Sequence, residues 1–171
     1  MDCGAYNGDT LQNFIQFANG SYSKIFAVEL DEKNFIELNN LIRIKNYRNV
    51  ETFNCGVWNK KDTVYFLPSD YDGSAISTNG TTFVEVDTID NIVKNFPISL
   101  IKMDIEGAEL NALKGAINTI KNFKPALAIC VYHKKDDLIT IPQFIKNLNS
   151  DYKLYLRRYS WSLVDLVLYA I

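Results

Sequence analysis

Apolar residues along the chain follow two alternating periods, and the switches between them predict strands joined by helices. Leu11, Phe14, Ile15 and Ala18 recur at helical spacing, as do Phe35, Leu38, Leu41 and Ile42. Between them residues 24–30 read as a short buried strand that stops on Glu29; Asn19-Gly20 ends the first helix and Asp31 caps the second. Residues 50–55 form a third short strand, and residues 63–67 and 82–86 two more. The polar connection 68–81 is longer than a hairpin turn needs, which makes it either a lid or binding loop or a solvated connection. Asp87 or Thr88 caps a short helix through Ile89, Ile92 and Val93 that stops before Pro97. A buried strand over 99–103 follows, then a helix over roughly 108–121 with Leu110, Leu113, Ile117 and Ile120 on one face. Residues 126–132 are uninterruptedly apolar, as in a strand covered on both faces. Pro142 falls in the first turn of a further helix with Phe144, Ile145 and Leu148 inward. Residues 152–158 and 163–171 close the chain in an antiparallel pair, with Arg157 and Arg158 either solvated or available to an anionic substrate.

Acids gather where strands end. Asp104, Glu106 and Glu109 arrive within six positions after the strand 99–103, and open α/β sheets keep their ligand crevice at such carboxyl ends. Glu106 and Glu109 also suit the first turn of the next helix, where the macrodipole favours negative charge. His133 ends the apolar run 126–132, just before Lys134-Lys135-Asp136-Asp137. That exit places it near the crevice edge of Asp104, and an imidazole titrating near neutrality suits proton removal.

The chain opens on Asp2-Cys3-Gly4-Ala5-Tyr6-Asn7-Gly8-Asp9-Thr10, a glycine turn feeding a helix with Asp9 or Thr10 as its N-cap. Glu29 lies about twenty residues beyond the turn, the spacing of a ribose-binding carboxylate in a nucleotide-binding βαβ unit. Asp2 and Asp9 flank the glycines, no lysine or arginine precedes Lys24, and the spacing is Gly-x-x-x-Gly. Such a turn repels a pyrophosphate and suits a ligand with positive charge and a ribose diol, which describes S-adenosylmethionine. A nicotinamide-dependent oxidoreductase is the alternative enzyme, and a non-catalytic nucleotide- or partner-binding domain the alternative outside enzymology. Residues 54–58 follow the third strand where a base would lie, so Asn54 is a candidate adenine contact; Trp58 suits that place or the core equally.

Composition narrows the partners. A chain of 171 residues fits a single domain over 1–171. Its formal charge of −2 gives no attraction to nucleic acid or an anionic membrane, and no apolar run is long enough to span a bilayer. Cys3, Cys55 and Cys130 show no metal-ligand spacing and read as reduced and buried, in keeping with a cytoplasmic protein. Two carboxylates alone do not define a metal site, and none is assigned. Only residues 1–3 remain for a first strand that usually runs five or six residues, so that strand is expected to be truncated, with weaker cofactor binding and stability than a chain carrying five to ten further upstream residues.

The sequence resembles the FkbM-type methyltransferases that use S-adenosylmethionine. The likeness runs from the turn at Asp2 through Val28-Glu29 and Asp87-Thr88-Ile89-Asp90 to Lys102-Met103-Asp104-Ile105-Glu106-Gly107-Ala108-Glu109, the most specific string, and on to Lys114-Gly115-Ala116 and Val131-Tyr132-His133-Lys134. It implies a Rossmann-like class I methyltransferase sheet, mostly parallel with its last strand antiparallel and helices on both faces. It also implies a cofactor site drawn from Asp2, Gly4, Ala5, Gly8, Thr10, Glu29, Asn54 and Asp104. Asp2, Gly4 and Gly8 would line the methionine moiety, Glu29 would take the ribose hydroxyls, and Asp104 would lie nearest the methyl group. The expected acceptor is a hydroxyl oxygen of a small molecule or carbohydrate, with no nucleic acid and no membrane as partner. His133 is the expected base, and Asp104 and Glu106 its expected catalytic companions; the oligomeric state is left open.

Overall fold

The computed structural model describes residues 1–67, 75–76, 82–161 and 165–171. Its elements in chain order are β1 (Asp2–Cys3), α1 (Asp9–Phe17), β2 (Ile25–Val28), α2 (Glu32–Ile44), β3 (Val50–Phe53), β4 (Gly56–Val57), β5 (Asp62–Leu67), β6 (Ala75–Ile76), β7 (Thr82–Asp87), α3 (Ile89–Val93), β8 (Leu100–Met103), α4 (Glu109–Lys114), α5 (Ile117–Phe123), β9 (Ala126–Cys130), α6 (Asp137–Leu148), β10 (Leu154–Arg158) and β11 (Leu166–Ala170).

Seven strands form the main sheet in the order β10-β11-β9-β8-β1-β2-β3. β3, β2, β1, β8 and β9 run parallel, and β11 is antiparallel to both its neighbours. Side-chain alternation divides the core between the two faces. Cys3, Phe26, Val28, Ile101, Met103, Leu127 and Ile129 pack with residues of α3 to α6 on one face, while Ile25 and Ala27 pack with Leu11, Ile15 and Leu38 of α1 and α2 on the other. Helices therefore cover both faces of a mostly parallel sheet. The order of the strands reverses beside β1, which is the topological switch where such sheets bind ligands.

Several local expectations are corrected. The strand expected over 50–55 ends at Phe53, and Gly56–Val57 belongs instead to a second sheet, β4-β7-β5-β6, that the apolar pattern did not reveal. The helix expected over 108–121 is two helices, broken at Gly115 and Ala116. A Cβ at Gly115 would overlap the carbonyl oxygen of Trp58, so the break lets β4's exit pack against the helix pair. Pro142 lies inside α6 rather than in its first turn, because the helix begins earlier, at Asp137, whose Oδ2 accepts from the Lys134 N–H at 2.9 Å. The N-cap of α1 is Gly8, in the left-handed conformation, not Asp9 or Thr10; Asp9 Oδ1 accepts from the Thr10 N–H at 2.6 Å instead. Asp31 caps α2 as expected, accepting from Asn34 N–H at 3.0 Å, and Thr88 rather than Asp87 caps α3.

All three cysteines are free, with Cys3 and Cys130 buried and Cys55 half-buried. Burial pushes the Cys3 thiol up to about 12 and that of Cys55 up to about 11, so both stay protonated and inert at neutral pH. β1 spans two residues. Arg157 lies over the Tyr159 ring on the exposed strand β10. The loop expected over 68–81 lies outside the described residues except for Ala75–Ile76, which pairs with β5.

Candidate active site

Two clusters of acids stand at the carboxyl ends of the parallel strands. The first surrounds the glycine turn. Gly4 leaves β1 with φ +74°, and a Cβ there would overlap the carbonyl oxygen of Asp104, so the glycine serves the close crossing of β1 and β8. The expected close approach of Gly4 is thus to backbone. Gly8 likewise packs against Leu38 and Leu41 of α2. The amides of Gly4 and Ala5 donate to Val28 O, each at 3.0 Å, and that of Gly8 to Ala5 O at 2.8 Å. Ala5 is fully buried and faces the core, so it offers a ligand no side chain.

Glu29 ties the turn to the next helix. Its Oε2 accepts from Tyr6 N–H at 2.7 Å and its Oε1 from Asp31 N–H at 2.8 Å. Burial pushes its carboxyl above the ordinary range, opposed by these two amides. Each oxygen retains a lone pair, so a diol can still be accepted as donor. Asn54 donates to the carbonyls of Glu29 and Leu30 at 3.0 and 3.1 Å, which holds the end of β2 in place. Asp2 is buried beside Lys102 of β8, whose Nζ lies 3.2 Å from Asp2 Oδ1 and donates to Gly4 O at 2.7 Å. Burial works to lower the Lys102 ammonium, but the charges of Asp2 and Asp104 outweigh it and hold it above its usual value. Lys102 is the residue the sequence reading missed here: the negative lining of the turn is partly neutralised from a strand a hundred positions away. Thr10 sits half-buried in the first turn of α1.

The second cluster lies around His133. β8 ends at Met103, and the turn after it passes through Glu106 and Gly107, both left-handed at φ +55° and +87°. A non-glycine residue in that region stores strain, and such strain gathers at functional sites. The turn sets Glu106 Oε2 3.3 Å and Asp104 Oδ1 3.5 Å from His133 Nε2. On the other side of the ring, Glu109 Oε1 lies 2.8 Å from Nδ1 and also accepts from Ile105 N–H at 3.0 Å. The His133 side chain is 7% exposed and that of Glu109 fully buried, whereas Asp104 and Glu106 are 38% and 34% exposed. The more open carboxylates thus mark the crevice, and the buried one lies behind the ring. Burial opposes the imidazolium, but the contact with Glu109 and the charges of Glu109, Glu106 and Asp104 prevail and raise it above its ordinary value. The Tyr132 ring lies tilted against that of His133, 4.0 Å between centroids, and its hydroxyl lies 3.3 Å from Asp104 Oδ1.

Donor atoms of Asp104, Glu109 and His133 fall within 4.8 Å of one another. Glu109 and Asp104 face opposite ring nitrogens of His133, whereas one ion binds an imidazole through a single nitrogen, so no metal is assigned.

A sheet switching order beside β1, a glycine turn and an acid ending β2 define a Rossmann-like nucleotide-binding domain. The chain belongs to the FkbM methyltransferase family: the family described as Methyltransferase FkbM domain matches residues 2–154. A methyltransferase FkbM from Methylobacillus flagellatus is 31% identical with a TM-score of 0.85; the match covers 99% of this chain and 42% of that one, so this chain spans less than half its length. An rRNA methylase from Streptococcus thermophilus, 15% identical over 99% of this chain and 82% of its own, has a TM-score of 0.61. Aeropyrum pernix fibrillarin with natively bound S-adenosyl-L-methionine is 10% identical over 99% of this chain and 64% of its own, with a TM-score of 0.57. No curated protein sequence matches the chain. Membership of a methyltransferase family makes S-adenosylmethionine the cofactor to test against the site, and the donor set fits it. The turn amides of Gly4, Ala5, Tyr6 and Gly8 are all engaged within the protein, which leaves a pyrophosphate without that cradle. The nicotinamide alternative falls with these findings.

Proposed function

We propose that this domain moves the methyl group of S-adenosylmethionine to a hydroxyl oxygen of a small molecule or carbohydrate, with His133 as the base. The observation that carries the reading is the imidazole itself, buried against Glu109 on one edge and turned toward two half-open carboxylates on the other. When bound, S-adenosylmethionine would supply an electrophilic methyl on a sulfonium, to which an acceptor oxygen could bond while the sulfur leaves with the carbon–sulfur pair as a neutral thioether. A neutral hydroxyl is a weak nucleophile, so His133 Nε2 takes its proton as the new bond forms. Asp104, at the end of β8, orients the hydroxyl, and Glu106 supports the charge that develops on the ring. Asp2 and the turn from Gly4 to Thr10 receive the methionine moiety, Glu29 the ribose, and the segment held by Asn54 the base. Burial of the ring keeps competing water from the proton, and alignment supplies much of the acceleration.

A formal charge of −2 supports a small or carbohydrate acceptor over nucleic acid, and no helix among the described residues is long and apolar enough to cross a membrane. Three cysteines, none of them paired in a disulfide, support a reducing, cytoplasmic setting. The test is transfer of labelled methyl to a panel of sugars and hydroxylated small molecules, with the product's methyl located by NMR. Methylation at oxygen is expected; methyl found only on nitrogen or carbon, or only on RNA, overturns the reading.

A further inference from the structure

We infer that Glu109 is a positioning residue for His133: it fixes the imidazole as the tautomer with hydrogen on Nδ1, so that Nε2 presents its lone pair to the crevice. The inference rests on the reading of His133 as the base and adds what makes it one.

Glu109 is fully buried, and among the described residues its one ion-pair partner is His133. An acid serving only the macrodipole of α4 would sit as well in water. This one instead reaches back across the left-handed turn, taking the Ile105 N–H on the same oxygen that meets Nδ1, while its Oε2 has no hydrogen-bond partner. A buried carboxylate left half satisfied is unfavourable unless it meets a cation or a strong donor. Nδ1, 2.8 Å from Oε1, is the side-chain group within reach to serve as that donor, although in the conformation described it makes no aligned hydrogen bond. A carboxylate only accepts, so the shared hydrogen belongs to nitrogen and the opposite ring atom carries the lone pair.

The proton taken at Nε2 then sits among three acids: Asp104 from the end of β8, Glu106 from the turn and Glu109 from α4. The other groups facing the ring region are the Tyr132 hydroxyl, which lies against Asp104, the Lys134 ammonium, bonded to Gly107 O, and Asp137 of α6, engaged by the Lys134 amide. As methyl transfer proceeds, the oxygen–hydrogen bond breaks, the proton joins Nε2, and the carbon–sulfur pair stays on sulfur. Asp104 and Glu106, each about a third exposed, then lead that proton to water.

His133 is the only histidine in the chain, so its ring nitrogens are read without ambiguity. The experiment is nitrogen-15 NMR of histidine-labelled full chain against pH, in the wild type, E109Q and E109D. The wild type should show hydrogen on Nδ1 in the neutral form and a titration midpoint above about 6.5. E109Q should lower the midpoint and mix the tautomers, and E109D should restore both in part. A wild-type ring with hydrogen on Nε2, or an E109Q titration identical to the wild type, overturns the inference. The wild-type spectrum decides even if E109Q does not fold. Unchanged turnover in H133Q would instead remove the base while leaving the tautomer result intact, so the two failures are distinct.

Discussion

Two strand ends in this molecule carry buried acids, and they use them in opposite ways. At the end of β2, Glu29 gives both oxygens to backbone amides and Asp2 beside it faces Lys102, so the acids there build the turn and moderate its charge. Beyond β8, Asp104, Glu106 and Glu109 converge on one imidazole, and the charge is concentrated rather than dispersed. An acid that closes a loop fixes geometry for a ligand, whereas acids that share a titratable ring set its chemistry. Position at a strand end does not separate the two roles; the partner does.

Substitutions on either side sharpen the contrast. The largest stability effect belongs to Lys102→Met, which strands the buried Asp2 carboxylate and should lower unfolding free energy by about 3–5 kcal/mol in a urea titration. A loss below about 1 kcal/mol would show that Asp2 does not depend on the lysine. Glu29→Gln is milder, because the amide keeps one acceptor but turns a donor toward a backbone N–H. A loss of about 1–3 kcal/mol is expected, with S-adenosylmethionine affinity falling about tenfold in calorimetry. Unaltered affinity would place the ribose elsewhere.

The smallest effect separates the clusters by pH. The raised imidazole of His133 stabilises the folded state fully below the unfolded value of about 6.5, and that contribution is lost as pH rises through the folded value. The difference in melting temperature between wild type and H133Q should therefore be larger at pH 5.5 than at pH 9. Equal differences would show that the three acids do not hold the ring charged.

Much of the sheet was legible because its strands are short, apolar and separated by helices of clear period. Ile25–Val28, Leu100–Met103 and Ala126–Cys130 all sit where the pattern put them. The second sheet was not legible, since β4 and β6 are two residues each and exist only through their partners. Gly115 and Pro142 misled in opposite senses. The glycine's break depends on Trp58, far away in sequence, whereas the proline lies inside α6 and costs it only the bond its missing N–H would have made. In the site, His133, Asp104 and Glu106 were brought together as expected. Lys102 was missed because its pairing with Asp2 comes from parallel register. Glu109 was ambiguous because a first-turn acid has an ordinary explanation; a lone histidine after the adjoining apolar run was the available hint.

The most direct test of the central claim compares wild type with His133→Gln in labelled methyl transfer to a hydroxyl acceptor, alongside calorimetric binding of S-adenosylmethionine. The account predicts equal cofactor binding and turnover lower by about a hundredfold or more in the variant. Equal turnover would contradict it.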